Sequence, residues 1–239
     1  MGKSVIKLKN ISKKYELLGA KPTFVEFLMS RDRQKHWALR DIDLIFEKGE
    51  KVGIIGPNGA GKTTLLSIIS EIVYPTSGEL KVSGKIVSLI ELEAGFHPDL
   101  TGIENIYLNG LIMGMNKLEI SNRLEEIISF ADIGKYIDYS MYSYSQGMKL
   151  RIGFSVAINA NFDILVLDEN ISVGDEDFQQ KSLKKIKSVF AEGKTVIIAT
   201  HHLDFIKKTC HRVIWLEKGR IIKDGPTNIV IKEYEKANR

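Results

Sequence analysis

The chain has 239 residues, enough for one large domain or two small ones. Hydrophobic residues make up 44% and charged residues 27%, a composition that excludes a disordered chain and allows a sizeable core. The formal charge of +4 is too weak to argue for nucleic acid, and one cysteine, Cys210, excludes an internal disulfide. No apolar stretch approaches the length that crosses a bilayer. Met1 to Lys7 alternates apolar and charged residues, which reads as a first strand and not as a signal peptide. Val5 to Lys9 keeps that period of two.

Glu16 to His36 is long for a connector between strands, so it is either functional or mobile. Within it, Pro22 suits a helix start, and Phe24, Phe27 and Leu28 fall at helical spacing. Trp37 to Phe46 alternates again, and Lys51 to Ile55 is an apolar run. A glycine-rich stretch follows, Gly56 to Thr63, and then a segment of helical character from Thr64 to Ser70. Tyr74 to Gly78 breaks the chain. Glu79 to Val82 and Lys85 to Ile90 read as strands joined at Ser83-Gly84.

The pattern is helical from Thr101 to about Asp138, and Thr101-Gly102-Ile103-Glu104 has the form of a capping box. Another helix is expected from near Gln146 to Ala160. Ile164 to Leu167 is a continuous apolar run, as in a strand buried on both faces of a parallel sheet. Phe178 to Phe190 forms an amphipathic helix with a lysine-rich, solvated face. Thr195 to Thr200 is a second buried strand. A short helix, strands at Arg212 to Leu216 and Arg220 to Lys223, and a polar helix from about Thr227 close the chain. This alternation predicts an α/β fold with a largely parallel core sheet, interrupted by a helical block between Thr101 and Ala160.

Gly56-Pro57-Asn58-Gly59-Ala60-Gly61-Lys62-Thr63 fits the pattern Gly-x-x-x-x-Gly-Lys-Thr between a strand and a helix, the setting of a phosphate-binding loop. Its glycines let successive N–H groups point at one anion, and the next helix adds its positive end. Lys62 supplies charge to the outer phosphates, and the Thr63 hydroxyl can reach Mg²⁺. Asp168, at the end of the buried strand, can hold Mg²⁺ through water, and Glu169 beside it can orient or deprotonate an attacking water. Ser145, Gln146 and Gly147 start a helix whose end can receive an anion, although a plain N-cap would look the same. His201 ends another buried strand, at the edge where open α/β sheets bind ligands, although a satisfied loop histidine would also fit there.

Taken in order, these motifs resemble the nucleotide-binding subunits of ABC (ATP-binding cassette) transporters over nearly the whole chain. The resemblance implies a P-loop NTPase fold of the ABC ATPase type. Such a fold has a RecA-like parallel-sheet core, an antiparallel β subdomain and a helical subdomain at about residues 96–160. Residues 1–239 would form a single nucleotide-binding domain. By resemblance, Tyr15 stacks on adenine, and Gly56, Pro57, Asn58, Gly59, Ala60, Gly61, Lys62, Thr63 and Thr64 hold the phosphates. Thr63 and Asp168 anchor Mg²⁺. Glu169, His201 and Lys62 are the catalytic group, with His201 rather than His202 as the switch histidine. Ser145, Gln146 and Gly147 contact the nucleotide of the other protomer, and Ser172 to Asp175 forms the dimer-contacting loop.

Three features depart from the usual pattern. The signature reads Tyr144-Ser145-Gln146-Gly147-Met148 where Leu-Ser-Gly-Gly-Gln is common. Glu91 stands where the switch loop usually has glutamine. A segment at about residues 16–36 is inserted between the first two strands. All three look like the ATPase subunits of bacterial polysaccharide exporters, which move O-antigen or teichoic-acid chains. Leu89 to Asn109, with Gly95-Phe96-His97-Pro98-Asp99-Leu100-Thr101-Gly102, and Trp215 to Gly219 carry that likeness. It implies an ATPase homodimer with two copies of an integral membrane permease subunit, peripheral to the cytoplasmic face of the cell membrane. It acts on a lipid-linked polysaccharide indirectly and on no nucleic acid. No carbohydrate-binding domain is expected within residues 1–239. The inserted helix around Phe24 would rest against the membrane partner or pack locally. O-antigen is the expected polymer; the alternatives are an exporter of teichoic acid, capsule, drug or lipid, and a soluble ABC ATPase without a transport role.

Overall fold

The computed structural model describes residues 3–16, 35–168 and 175–238. Glu169, Ser172 to Gly174 and the helix expected around Phe24, Phe27 and Leu28 lie outside the described residues.

Alternating sequence builds the first sheet. Strands β1 (Ser4–Glu16), β2 (Lys35–Glu47) and β4 (Ser77–Val82) pair antiparallel in the order β2-β1-β4. β1 is longer than its clean alternation predicts. Its pairing with β2 shifts between Leu8 and Ile11, where Asn10 has φ 51° and its amide donates to Asp43 Oδ1 (2.9 Å). Asparagine tolerates that left-handed conformation, so the strand passes the bulge and resumes. The ladder therefore reaches Tyr15 opposite His36 and Glu16 opposite Lys35. Glu16, Lys35 and His36, read as part of the insertion, belong to the strands.

Apolar runs build the second sheet. Its strands are β3 (Lys51–Ile55), β5 (Ile86–Ser88), β6 (Ile164–Leu167), β7 (Thr195–Ala199), β8 (Arg212–Glu217) and β9 (Arg220–Pro226). The order is β5-β6-β7-β3-β8-β9, parallel except for the edge strand β9. Lys218 and Gly219 join β8 to β9 with φ 47° and 75°, as a tight hairpin requires. Ser83-Gly84 does separate two strands, but β4 and β5 lie in different sheets. The run Lys85 to Ile90 shortens to three paired residues, because the chain turns away after Leu89 donates to Val166 O (2.9 Å).

The helices are α1 (Lys62–Ile69), α2 (Gly102–Ile112), α3 (Lys117–Ala131), α4 (Gln146–Asn159), α5 (Glu176–Ala191), α6 (Leu203–Thr209) and α7 (Thr227–Ala237). The capping box at Thr101 and Glu104 forms as expected. A second one, Asn116 with Glu119, splits the long helical pattern into α2 and α3, helped by Gly114 at φ 78°. After α3 the chain descends through short 3₁₀ turns, Gly134–Asp138 and Met141–Ser143, to the start of α4.

Leu65, Leu66, Ile68 and Ile69 of α1 are buried among apolar side chains of both sheets, including Phe46 and Ile54. That fixes the helix behind the glycine-rich loop. Phe130 of α3, Phe154 of α4 and Phe178 of α5 meet in an aromatic triad, with centroids 5.7–5.9 Å apart. Such contacts supplement the burial of large apolar area and tie the helical block to the core sheet's helices.

Candidate functional site

The parallel register brings three loops to one edge. Ile54 of β3 is level with Ala199 of β7, and Ile198 of β7 is level with Leu167 of β6. The residues that follow these strands therefore emerge side by side: Gly56, Thr200 with His201, and Asp168. This is the carboxyl edge of the sheet, where open α/β folds place their ligands.

Close packing decides which loop positions must be glycine. A Cβ on Gly56 (φ 151°) would lie 2.0 Å from Leu216 O, and one on Gly61 (φ 102°) would lie 2.5 Å from Ala38 O. The loop is thus seated against β8 and β2. The turn after β8 fastens it further: Gly219 N donates to Ala60 O (2.9 Å), and Arg40 N to Gly219 O (2.8 Å). α1 begins at Lys62, so its free amides face the same place.

The charged groups there are close together. Lys62, only 8% exposed, donates from Nζ to Gly56 O (2.8 Å) and Pro57 O (3.1 Å). His201 Nε2 lies 3.4 Å from that ammonium and 2.9 Å from Asn58 Oδ1. Thr63 Oγ1 donates to Asp168 Oδ2 (2.9 Å), and Asp168 is itself buried. A hydroxyl and a carboxylate are hard oxygen donors, the kind Mg²⁺ takes. Among the described residues, no group of three His, Cys, Asp or Glu side chains is placed to hold a metal ion. A Mg²⁺ at Thr63 and Asp168 would draw its other oxygens from phosphate and water, as that ion commonly does.

A cavity of about 460 Å³ gathers Tyr15, the run Asn58 to Thr64, Asp168 and His201. His36 and Ala38 line it too, and neither carries a motif. His36 arrives through strand pairing opposite Tyr15, a signal visible only once β1 is known to continue past its bulge. Gly56 and Pro57 are not lining residues; they turn their carbonyls to Lys62. Glu91 is exposed on the chain after β5 and does not line the cavity.

Ser145, Gly147 and Asp175 lie elsewhere, around a second cavity of about 580 Å³. No residue lines both cavities. Ser145 is the N-cap of α4 and accepts from Met148 N (3.3 Å). Asp175 caps α5, accepting from Phe178 N (3.1 Å), and meets Arg151 Nη2 at 2.5 Å. The Phe178 amide first, and the Arg151 charge after it, hold the Asp175 carboxyl below the usual range. Gln146, the first residue of α4, is exposed and donates from Nε2 to Glu93 Oε1.

Tyr144 stands where leucine is common, and its surroundings fit it. The ring is buried and its hydroxyl donates to Tyr136 O. A Cβ on Gly102 would lie 2.4 Å from that hydroxyl, so glycine there leaves the room a tyrosine needs. Burial pushes the phenol up to about 12, keeping it protonated as a donor.

The sequence matches the ABC transporter family over residues 39–172. It is 45% identical over 208 residues to the O-antigen export system ATP-binding protein RfbB of Myxococcus xanthus, covering 87% of this chain and 48% of that one. It is 41% identical over 239 residues to the teichoic acids export ATP-binding protein TagH of Listeria innocua, covering 98% and 71%. The chain thus spans about half the length of the first of these relatives. A bacterial ABC transporter cassette solved as a dimer superposes with a TM-score of 0.71 at 25% identity, over 93% of this chain and 98% of that one. With the glycine-rich loop, Asp168 and His201 gathered on one sheet edge, and with a family match over more than half its length, the chain belongs to the ABC transporter family.

Proposed function

We propose that this chain is the ATP-hydrolysing subunit of an exporter of lipid-linked polysaccharide, of the O-antigen class. The observation that carries the reading is the 45% identity to an O-antigen export ATP-binding protein across 87% of the chain. Residues 1–239 act as a single nucleotide-binding domain, with a helical subdomain at about 96–160.

ATP lies in the first cavity, its adenine on Tyr15 and its phosphates over the loop from Gly56 to Thr64. Lys62 neutralises the outer phosphates while the loop amides bind their oxygens. Thr63 and Asp168 would hold Mg²⁺, which would supply positive charge against the phosphates. Glu169 orients a water and takes its proton as its oxygen bonds to the γ-phosphorus. The bond to the β–γ bridging oxygen breaks, and ADP leaves. His201 holds the γ-phosphate.

Ser145, Gln146, Gly147 and Asp175 serve a second copy of the chain. Ser145, Gly147 and Asp175 lie around a different cavity from Lys62, so a head-to-tail homodimer is the arrangement that lets this helix end reach a phosphate. Closing the dimer sets the start of α4 on the γ-phosphate, where its amides oppose developing charge. Loss of the γ-phosphate reopens the pair. Glu91 senses this change and passes it to the membrane partner.

Among the described residues, no helix is long and apolar enough to cross a membrane. In this reading two copies of an integral membrane subunit supply the path, and the chain sits at the cytoplasmic face of the cell membrane. A teichoic-acid exporter is the second reading, supported by the 41% identity to the Listeria protein.

Deleting the gene tests the assignment. Surface polymer should disappear and its lipid-linked form should build up inside the cell, and sugar analysis of that material separates O-antigen from teichoic acid. Unchanged surface polymer would reject both readings.

A further inference from the structure

The turn from Leu92 to Gly95 is fastened to the helical block. Before it, Leu89 N donates to Val166 O of the core sheet (2.9 Å). Beyond Glu91, contacts among the described residues join the stretch from Leu92 to His97 to α2 and α4. Gly153 of α4 lies so close to Leu92 that a Cβ would sit 2.3 Å from the Leu92 carbonyl oxygen. Asn109 Nδ2 donates to Ala94 O (3.0 Å), and His97 N donates to Asn105 Oδ1 (2.8 Å). Gln146, at the first position of α4, donates to Glu93. Glu91 therefore lies between a residue anchored on the sheet and a turn anchored on the helices.

We infer that Glu93 is a positioning residue for the partner's ATP, acting through Gln146. The inference rests on the head-to-tail reading above. Gln146 is next to Ser145, at the end of α4 whose amides must accept a phosphate from a second copy. An exposed glutamine otherwise samples many rotamers, and fixing one of them steadies the first turn of α4 where the partner's phosphate arrives. The bond from its Nε2 to the Glu93 carboxylate holds the side chain toward the turn, and a charged acceptor makes that bond a strong one. The same bond joins the turn that follows Glu91 to the residue beside Ser145. A shift of the switch loop then reaches the helix end as one movement of a single body.

The test is ATP-dependent dimerisation of the full chain in a Glu169→Gln background, followed by light scattering, beside binding of a fluorescent ATP analogue to the monomer. Glu93→Ala should weaken dimerisation by about tenfold, the scale of a lost hydrogen bond to a charged group. Monomer affinity for the analogue should not change. Glu93→Gln keeps a neutral acceptor for Gln146 and should fall between Glu93→Ala and the parent, about two- to fivefold below the parent. Gln146→Ala should lose as much as Glu93→Ala, and the pair together should lose little more than either alone, since they break one contact. A Glu93→Ala chain that dimerises like the parent overturns the inference, as does a Glu93→Gln chain as defective as Glu93→Ala, or additive losses. A parent that forms no dimer with ATP overturns the head-to-tail reading, and this inference with it.

Discussion

Glu169→Gln is expected to lower ATP turnover by about a hundred- to ten-thousandfold, the range for removing a positioned general base. ATP affinity should stay near that of the unaltered chain. In sequence Glu169 follows Asp168, and Asp168 lies at the carboxyl end of β6, on the edge that carries Lys62, Thr63 and His201. The glutamine keeps size and hydrogen bonding but takes no proton. With hydrolysis stalled and the γ-phosphate retained, the variant should accumulate as an ATP-bound dimer. Phosphate release, nucleotide binding and molecular mass in solution check the three parts. Ordinary turnover in this variant would remove Glu169 from the mechanism.

Lys62→Ala should fail one step earlier. Lys62 is nearly buried, and its ammonium lies among Gly56 O, Pro57 O and the His201 ring. The variant keeps the amides of the loop and of α1 but loses the one full positive charge that the loop contributes. Truncating a buried charged contact costs about 2–5 kcal/mol. ATP affinity should drop by roughly a hundredfold, a value within that range, and turnover at ordinary ATP concentrations should drop with it. Titration with a fluorescent ATP analogue reads this directly. Affinity within twofold of the unaltered chain would contradict the role given to Lys62. The two variants thus divide the pathway, one blocking the chemistry after binding and the other blocking binding.

The readily legible parts of the fold were set by local rules. Strands β3, β6 and β7 announce themselves as apolar runs because both faces of a central parallel strand are buried. The Thr101 capping box is a four-residue signal, and it forms where it is read. Non-local features were less visible. Nothing near Asn10 says that the strand resumes after the bulge, because the pairing that restores it is with β2, beyond residues 17–34. Glu79 to Val82 and Lys85 to Ile90 look like one hairpin, yet they end in different sheets, and only the partners β1 and β6 decide that.

The site shows the same division. The glycine-rich loop is contiguous, and the register of three adjacent strands puts Asp168 and His201 beside it. His36 has no motif and reaches the cavity only through its pairing with Tyr15. Tyr144 breaks the usual signature, and the compensating residue, Gly102, is 42 positions earlier in the chain. Glu93 and Gln146 are 53 residues apart, and no spacing rule links them.

The central claim is that each ATP is held by one chain's Lys62 and completed by another chain's Ser145. Mixing two inactive variants tests it most directly. Lys62→Ala removes the phosphate ligand, and Ser145→Arg blocks the start of α4; each alone should be inactive. In a mixed dimer one site combines the intact loop of the Ser145→Arg chain with the intact helix end of the Lys62→Ala chain. Random pairing makes half the dimers mixed, each with one good site of two, so an equal mixture should recover roughly a quarter of full activity if sites work independently. If the site were complete within one chain, no molecule in the mixture would carry both intact parts. Activity would then stay at the level of the separate variants, and the account would be contradicted.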